Sequence, residues 1–173
     1  MADEPYPGLR EFLAARGRLL SRGAYLLTGD HHLAEDLVQS AVMRVLRYWK
    51  KTRVDGPEVY VRLAMYHRYL SRRRYRRISK VVTGQVHEPM RVDQHETSPS
   101  RISLDAALAA LSPRQRAVLV LRYYESLAEA DTAVVFNCSV GTVQRYVHEG
   151  LARLRLVAPH LLDSGHIVEG MDG

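Results

Sequence analysis

Cysteine is nearly absent from this sequence, which has Cys138 alone among 173 residues. A lone cysteine cannot form an internal disulfide, so a secreted, disulfide-stabilised domain is not expected. Apolar runs stay short of the ~20 residues that span a bilayer. The N-terminal stretch MADEPYPGLREF lacks the apolar core of a signal peptide. We therefore expect a cytoplasmic protein that does not act in a membrane.

Enzymatic signatures are missing as well. The sequence contains no glycine-rich phosphate loop and no nucleophile elbow, and its eight histidines are scattered. His31, Glu35 and Asp36 are spaced like metal ligands on a helix, but no second cluster completes a coordination shell. Acids in a first helical turn already suit the helix dipole. We therefore expect no catalytic residue, no metal ion and no cofactor.

Positive charge is concentrated in one segment. Residues 51–80 contain ten Lys or Arg and two acids, a balance of +8, whereas the whole chain carries +6. Five of these arginines fall within residues 72–77, where they would repel one another if nothing neutralised them. A stripe of this kind indicates a polyanionic partner such as nucleic acid.

Apolar residues recur at helical spacing over most of the chain. Residues 79–103 are the exception, because they are rich in turn formers and show no sustained period. A structureless segment of that length favours two domains over one. We therefore predict an all-α fold with a helical domain over 8–78, a flexible linker over 79–103, a second helical domain over 104–157 and a frayed tail over 158–173.

Residues 111–155 have the punctuation of a helix-turn-helix unit. Ser112 and Gln115 flank a proline at the first helical position and predict a capping box. Asn137 tolerates the left-handed conformation of a tight helix end, and Ser139 can cap the next helix. An ordinary helical hairpin in a core has similar spacing. Small size at Ala133 would let the two helices approach, with Phe136, Val140, Val143 and Val147 filling the wedge between them.

The second helix of such a unit lies in the DNA major groove, with its N-terminal residues at base edges. Arginine pairs with guanine through two hydrogen bonds, and glutamine pairs with adenine in the same way. The predicted base-contacting residues are Ser139, Gly141, Thr142, Gln144, Arg145 and His148.

Tyrosines and arginines are interleaved in the third predicted helix. Bases of a single strand stack on aromatic rings while cations follow the phosphates, so this composition suits single-stranded nucleic acid. The tyrosines can equally belong to the core. We expect Tyr66 on the buried side of the helix and Tyr69 on its polar side. The predicted strand-binding residues are Tyr66, His67, Tyr69, Arg72, Arg73 and Arg74.

Two long stretches carry a family resemblance. TGDHHLAEDLVQSAVMRVLRYWK resembles the core-binding segment of extracytoplasmic-function (ECF) sigma factors, the small two-domain initiation factors of bacterial RNA polymerase. PRQRAVLVLRYYESLAEADTAVVFNCSVGTVQ resembles their fourth region, which recognises the −35 element. The two stretches occur in the family order, and a short actinobacterial subgroup is the most similar.

The resemblance implies a division of labour between two domains. Sigma region two would dock on the clamp helices of the largest polymerase subunit and hold the unstacked −10 strand. Sigma region four would place its recognition helix on the −35 element and contact the flap of the second-largest subunit. Core RNA polymerase and promoter DNA are the implied partners, and an anti-sigma factor is a further candidate. By resemblance, polymerase binding falls to Asp36, Leu37, Gln39 and Arg44.

The chain departs from the subgroup pattern at several positions. SVGTVQR stands where SVGTVKS is usual, so Gln144 and Arg145 should change the recognised bases. Glu149 replaces a basic residue and should weaken DNA binding unless it pairs with Arg145 or Arg153. The other departures are His67 for Asn, Arg72 and Arg73 for a Trp pair, and Ala128 for a Ser cap whose role Ser126 would have to take.

Two other classes of protein fit the same residues. A helix-turn-helix regulator would use residues 8–77 for sensing or dimerisation and would bind a paired site alone. A degenerate sigma-like protein would bind polymerase or a regulator without initiating. A sigma factor should be monomeric and should bind DNA poorly without polymerase.

The arginine cluster supplies a first test. Replacing Arg72, Arg73 and Arg74 by Gln removes three positive charges and should weaken DNA engagement. The slope of log K against log salt concentration should become shallower by up to about 2, since each neutralised phosphate of a single strand contributes about 0.7 to that slope. Open-complex yield measured over a salt series checks this, and equal yields for variant and parent at every salt concentration would contradict it.

Overall fold

The computed structural model describes residues 6–52, 56–83 and 103–163, with side chains over 6–50, 56–72 and 103–162. All regular structure in these residues is helical, which confirms the predicted fold class. Residues 84–102 of the predicted linker and 164–173 of the predicted tail lie outside the described residues. The helices are α1 (Leu9–Thr28), α2 (His31–Leu46), α3 (Trp49–Thr52), α4 (Pro57–Thr83), α5 (Leu104–Ala109), α6 (Pro113–Leu119), α7 (Glu129–Phe136), α8 (Val140–Val157) and α9 (Pro159–Asp163).

Three helix bounds differ from the predictions, because the apolar spacing of the sequence predicts a second helix over about 31–51, a third over about 57–78 and a frayed tail after residue 157. The second predicted helix is divided into α2 and the short α3. Helix α4 runs past residue 78 to Thr83. Part of the tail that we expected to be frayed forms α9, which begins at Pro159, a residue favoured at a first helical position.

Helix ends follow the local capping chemistry that the sequence predicts. The Asp30 carboxylate accepts a hydrogen bond of 2.8 Å from the Leu33 amide at the start of α2. Ser112 and Gln115 form both hydrogen bonds of the capping box at α6. Asn137 ends α7 in the left-handed region with φ 49°. Ala128, in contrast, begins α7 without a side-chain cap, and Ser126 does not replace it.

A π-helical turn over Val120–Tyr124 directly continues α6. The Glu125 amide closes it with a 3.0 Å hydrogen bond to the Val120 carbonyl. The wider turn adds a residue relative to an α-helix and changes the direction of the side chains that follow it. Tyr124 and Glu125 consequently point at α1, where the Tyr124 hydroxyl donates to the Leu19 carbonyl at 3.1 Å.

The first domain packs α1, α2 and α4 around an apolar centre. Helix α2 contributes the predicted stripe, with Leu37, Ala41 and Val45 buried. Apolar spacing predicts that the buried side of α4 is formed by Val59, Tyr60, Leu63, Ala64, Tyr66 and Leu70. Val59 and Tyr60 are exposed instead. The residues of α4 that face the core are Val61, Ala64, Met65, Tyr66 and Tyr69.

The second domain has the predicted helix-turn-helix. Val118, Ala133 and Val143 are buried together where α6, α7 and α8 meet. Cys138, which we predict to be a small, partly buried filler and not a reactive thiol, packs against this group and is half-buried. Val140 does not fill the wedge as predicted, because its side chain at the start of α8 is exposed.

The two domains pack against each other. One continuous apolar core contains residues of both, including Leu26 of α1, Met65 of α4 and Leu119 of α6. Contacts join α1 and α4 of the first domain to α6, α7 and the π-helical turn of the second. The arginine-rich helix α4 and the helix-turn-helix are therefore neighbours.

The left-handed residue at the end of α7 gives a stability test. Asn137→Ala should lower the free energy of unfolding by about 1–2 kcal/mol, because a Cβ without a local hydrogen-bonding group is disfavoured there. Asn137→Gly should keep the stability of the parent, since glycine adopts positive φ freely. Urea unfolding of the three proteins checks this, and equal losses in both variants would contradict the conformational explanation.

Candidate nucleic-acid interface

The predicted base-contacting residues share the N-terminal half of α8 and the turn before it. Ser139, Gly141, Gln144, Arg145 and His148 are exposed, and Thr142 is half-buried. The Ser139 hydroxyl accepts from the Thr142 amide at 3.2 Å, so Ser139 also serves as the helix cap. The structure therefore brings these six residues together at one end of the recognition helix.

Gln144 is held by a residue that the sequence analysis did not select. Its Nε2 donates a 2.8 Å hydrogen bond to Oε2 of Glu129, in the first turn of α7. A glutamine held in this way presents its amide in one orientation. The two positions are far apart in sequence but meet because α7 and α8 pack closely.

Arg145 lies over an aromatic ring on the same helix. Its guanidinium carbon is 5.2 Å from the centre of the Tyr146 ring. Arg114, at the start of α6, lies 6.0 Å from the same ring, and its Nη1 donates to the Tyr146 hydroxyl at 3.1 Å. The ring thus orients two cations by cation–π attraction beside the recognition helix. Arg114 is a second residue that sequence spacing alone did not reveal.

Glu149 has a different partner from the two predicted for it. It accepts a 3.3 Å hydrogen bond from Nε2 of Gln115, not from Arg145 or Arg153. Helices α6 and α8 approach closely at Gly150, where an added Cβ would lie 3.0 Å from Cδ1 of Leu119. This close approach brings Gln115 within reach, while Arg145 lies over Tyr146.

The predicted strand-binding residues are divided between core and surface. Tyr66 is 0% exposed, as expected for the buried side of α4. Tyr69 is 4% exposed, so the prediction that it lies on the polar side of the helix was wrong. His67 is exposed, and its Nε2 lies 2.7 Å from the Val135 carbonyl oxygen of α7. Arg72 is half-buried. The side chains of Arg73 and Arg74 lie outside the described residues.

The surroundings of Tyr66 come partly from the second domain. Burial, followed by the charge of Glu125, raises the pKa of Tyr66 well above its usual value. Among the described residues, its hydroxyl has no hydrogen-bond partner. Glu125 itself lies 2.9 Å from Nε of Arg62. Burial raises the pKa of Glu125, and the Arg62 charge opposes that rise.

The polymerase-binding candidates are all on α2. Asp36, Gln39 and Arg44 are exposed and form a polar surface on the helix. Leu37 is 3% exposed and faces the core. A surface contact by Leu37 is therefore ruled out in this structure, because the same periodicity that builds the core stripe of α2 turns this residue inwards.

His31 belongs to the set of residues that are spaced like metal ligands in the sequence. His31 stacks on the ring of Tyr25, with 4.5 Å between ring centres. Within residues 6–52, 56–83 and 103–163, no three His, Cys, Asp or Glu side chains are grouped so that they could hold a metal ion. In the same part of the chain, no helix has both the length and the apolar character needed to span a bilayer.

These features define a class of protein. Two helical domains, an exposed recognition helix with arginine and glutamine at its start, and a neighbouring basic helix are typical of a DNA-binding transcription protein. The sequence family Sigma-70 region 2 matches residues 12–78, and Sigma-70, region 4 matches residues 101–154. The chain belongs to the ECF group of the sigma-70 family. It is a transcription initiation factor that directs RNA polymerase to promoters, and it is not an enzyme.

Individual relatives agree with this assignment. The RNA polymerase sigma-E factor of Streptomyces coelicolor is 34% identical over 146 residues, which cover 84% of this chain and 82% of that protein. The ECF RNA polymerase sigma factor SigL of Mycobacterium tuberculosis is 29% identical, over 88% of this chain and 90% of that one. The sigma factor RpoE of Bartonella quintana, solved in complex with the anti-sigma factor NepR, shares the fold with a TM-score of 0.63 at 22% identity. The match covers 86% of this chain and 94% of that chain.

Glu149 gives a test of the recognition helix. Glu149→Gln removes a negative charge from α8 and should tighten binding of −35 duplex DNA. The affinity should rise most at low salt, because the removed repulsion is electrostatic and screened by ions. Fluorescence anisotropy over a salt series measures this. Glu11→Gln, the same charge change at an exposed site on α1, is the matched control, and equal effects of the two changes would contradict a role for Glu149.

Proposed function

We propose that region four, over residues 104–157, binds the −35 element through the first turns of α8. The exposed group of Ser139, Gly141, Thr142, Gln144, Arg145 and His148 is the observation that supports this most directly. Arg145 and the amide of Gln144 provide the hydrogen-bonding groups that match guanine and adenine. Arg114 adds a second cation next to this surface.

Region two, over residues 8–78, binds the −10 element and the polymerase in this proposal. The −10 strand is assigned to α4, through His67, Arg72, Arg73 and Arg74, and not through Tyr66 and Tyr69, which are buried. The basic composition of this helix supports the assignment, because cations neutralise phosphates. The clamp helices of the largest subunit are assigned to α2, whose Asp36, Gln39 and Arg44 are exposed.

The two weak DNA contacts support each other on one polymerase. With region two on the clamp and region four on the flap of the second-largest subunit, each element is presented at a high effective concentration. The protein would act in the cytoplasm, where polymerase and promoter DNA occur. An anti-sigma factor is proposed as a further partner, since the relative from B. quintana was solved with one.

Reconstitution tests the proposal. The purified chain is mixed with core RNA polymerase and a pool of genomic promoters, and binding and transcript start sites are measured. We expect a stable complex and defined starts that share −35 and −10 sequences. Binding without transcripts from any promoter would indicate a degenerate sigma factor. DNA binding as a dimer without polymerase would indicate a stand-alone regulator and would contradict the proposal.

Arg145 tests the assignment of the −35 residues. Arg145→Ala should relax discrimination at one base pair by about 1–3 kcal/mol, the contribution of a good bidentate pair. Polymerase binding should stay at the level of the parent. Arg155→Ala, an exposed arginine near the other end of α8, is the control and should leave the sequence preference unchanged. An unchanged preference in Arg145→Ala would remove this residue from the set.

A further inference from the structure

A carboxylate on the first helix of the helix-turn-helix reaches a side chain on the second. Oε2 of Glu129, in the first turn of α7, accepts the 2.8 Å hydrogen bond from Nε2 of Gln144 on α8. Glu129 is half-buried, whereas Gln144 is exposed. Gln144 belongs to the group proposed to contact −35 bases, and Glu129 does not. The pair therefore links a base-contacting side chain to a residue on the neighbouring helix.

The backbone is well anchored on both sides of this contact. The Thr132 hydroxyl donates to the Ala128 carbonyl at 2.9 Å, which secures the turn that carries Glu129. Val143, the residue before Gln144, is buried where α6, α7 and α8 meet. Negative charge is also favoured at the N-terminal end of a helix, which keeps the Glu129 carboxylate near the start of α7. The two side chains thus meet on a rigid support.

The chemistry of a carboxylate determines how the Gln144 amide can point. A glutamine amide has an acceptor oxygen at one end and two N–H donors at the other, whereas a carboxylate only accepts. If the Gln144 amide turned over beside Glu129, Oε1 would face the carboxylate oxygen. The hydrogen bond would be lost and two negative oxygens would approach each other. The held amide therefore keeps one N–H group and Oε1 for DNA.

These two remaining groups match adenine. In the major groove, adenine presents the acceptor N7 beside the donor N6, whereas guanine presents two acceptors, N7 and O6. A glutamine that turns freely can donate both N–H groups to guanine. Gln144 has one N–H group left, and its Oε1 would lie against O6 of guanine. Such a mismatch is costly in the groove, because water no longer separates the two oxygens.

We infer that Glu129 is a specificity-determining residue, which fixes the Gln144 amide so that one position of the −35 element is recognised as adenine and not as guanine. Glu129 acts through Gln144 and is therefore a positioning residue. The inference rests on the proposed function for the placement of Gln144 at a base edge. It adds the identity of the base and the residue on α7 that selects it.

Glu129→Gln is the sharpest variant, because it keeps the size of the side chain. The new amide can accept from Nε2 of Gln144 or donate to its Oε1, so both orientations of Gln144 become possible. Asp131→Asn is the matched control, since Asp131 is the other acid in the first turn of α7 and is exposed. Both changes remove one negative charge from the same turn. A general gain in DNA affinity should be shared by them, whereas a loss of base discrimination should not.

The experiment incubates each full-length chain with a randomised duplex DNA library at low salt and sequences the bound duplexes. The parent should prefer adenine to guanine at one position by about tenfold, within the range of a bidentate contact. Glu129→Gln should lower this ratio by about threefold, the size of the net contribution of one hydrogen bond. Asp131→Asn should keep the ratio of the parent. Gln144→Ala should remove the preference, and Glu129→Gln added to it should have no further effect.

A second readout tests the contact without DNA. In the isotope-labelled full-length parent, nuclear magnetic resonance relaxation should show a more restricted side-chain amide for Gln144 than for Gln39, an exposed glutamine of α2. Glu129→Ala should make the two amides equally mobile, whereas Asp131→Ala should not. Equal mobility of the two amides in the parent would overturn the inference.

The outcomes separate this inference from the proposed function. If Gln144→Ala keeps the base preference of the parent, the proposed placement of Gln144 fails and the inference fails with it. If Gln144→Ala loses the preference and Glu129→Gln keeps it, the placement stands and the inference alone is overturned. Glutamate can also accept from the N4 amino group of cytosine. A cytosine preference that Glu129→Gln removes even in the Gln144→Ala background would show direct contact and would overturn the positioning role.

Discussion

The hydrogen bond from buried Arg116 to the Leu26 carbonyl is the constraint on which the domain arrangement depends. It ties α6 of region four to α1 of region two inside a shared apolar core. The π-helical turn that continues α6 is thereby placed over α1, with Glu125 against Arg62. Because a buried guanidinium needs acceptors, this contact favours one relative position of the domains over many apolar alternatives.

In that arrangement, the two surfaces proposed to bind DNA differ in their exposure to solvent. The start of α8 faces solvent with Gln144 held by Glu129, so the surface proposed for the −35 element is already ordered. On α4, by contrast, Tyr66 is enclosed beside Glu125 of region four. The surface proposed for duplex DNA is therefore exposed, whereas Tyr66 and Tyr69 on the helix proposed for the single strand are buried.

Local chemistry made the helix ends and part of the candidate DNA-binding site predictable from sequence. Capping residues such as Asp30 and Asn137 determine helix ends through contacts with neighbouring residues, and the exposed group around Arg145 follows from helix-turn-helix spacing. The prediction that Tyr69 is on the polar side of α4 was wrong, because packing against other helices determines which residues of α4 are buried. The bond between Gln115 and Glu149 was missed for the same reason, since it joins residues 34 positions apart.

The distance between the two domains is the most direct measure of how they pack in solution. Spin labels at Arg18→Cys of α1 and Arg153→Cys of α8, two exposed sites, in a Cys138→Ser background report that distance in solution. We predict one short, narrow distance distribution for the free chain and a shift to longer distances when core RNA polymerase is added. The same distribution with and without polymerase, or a broad distribution in the free chain, would contradict the account.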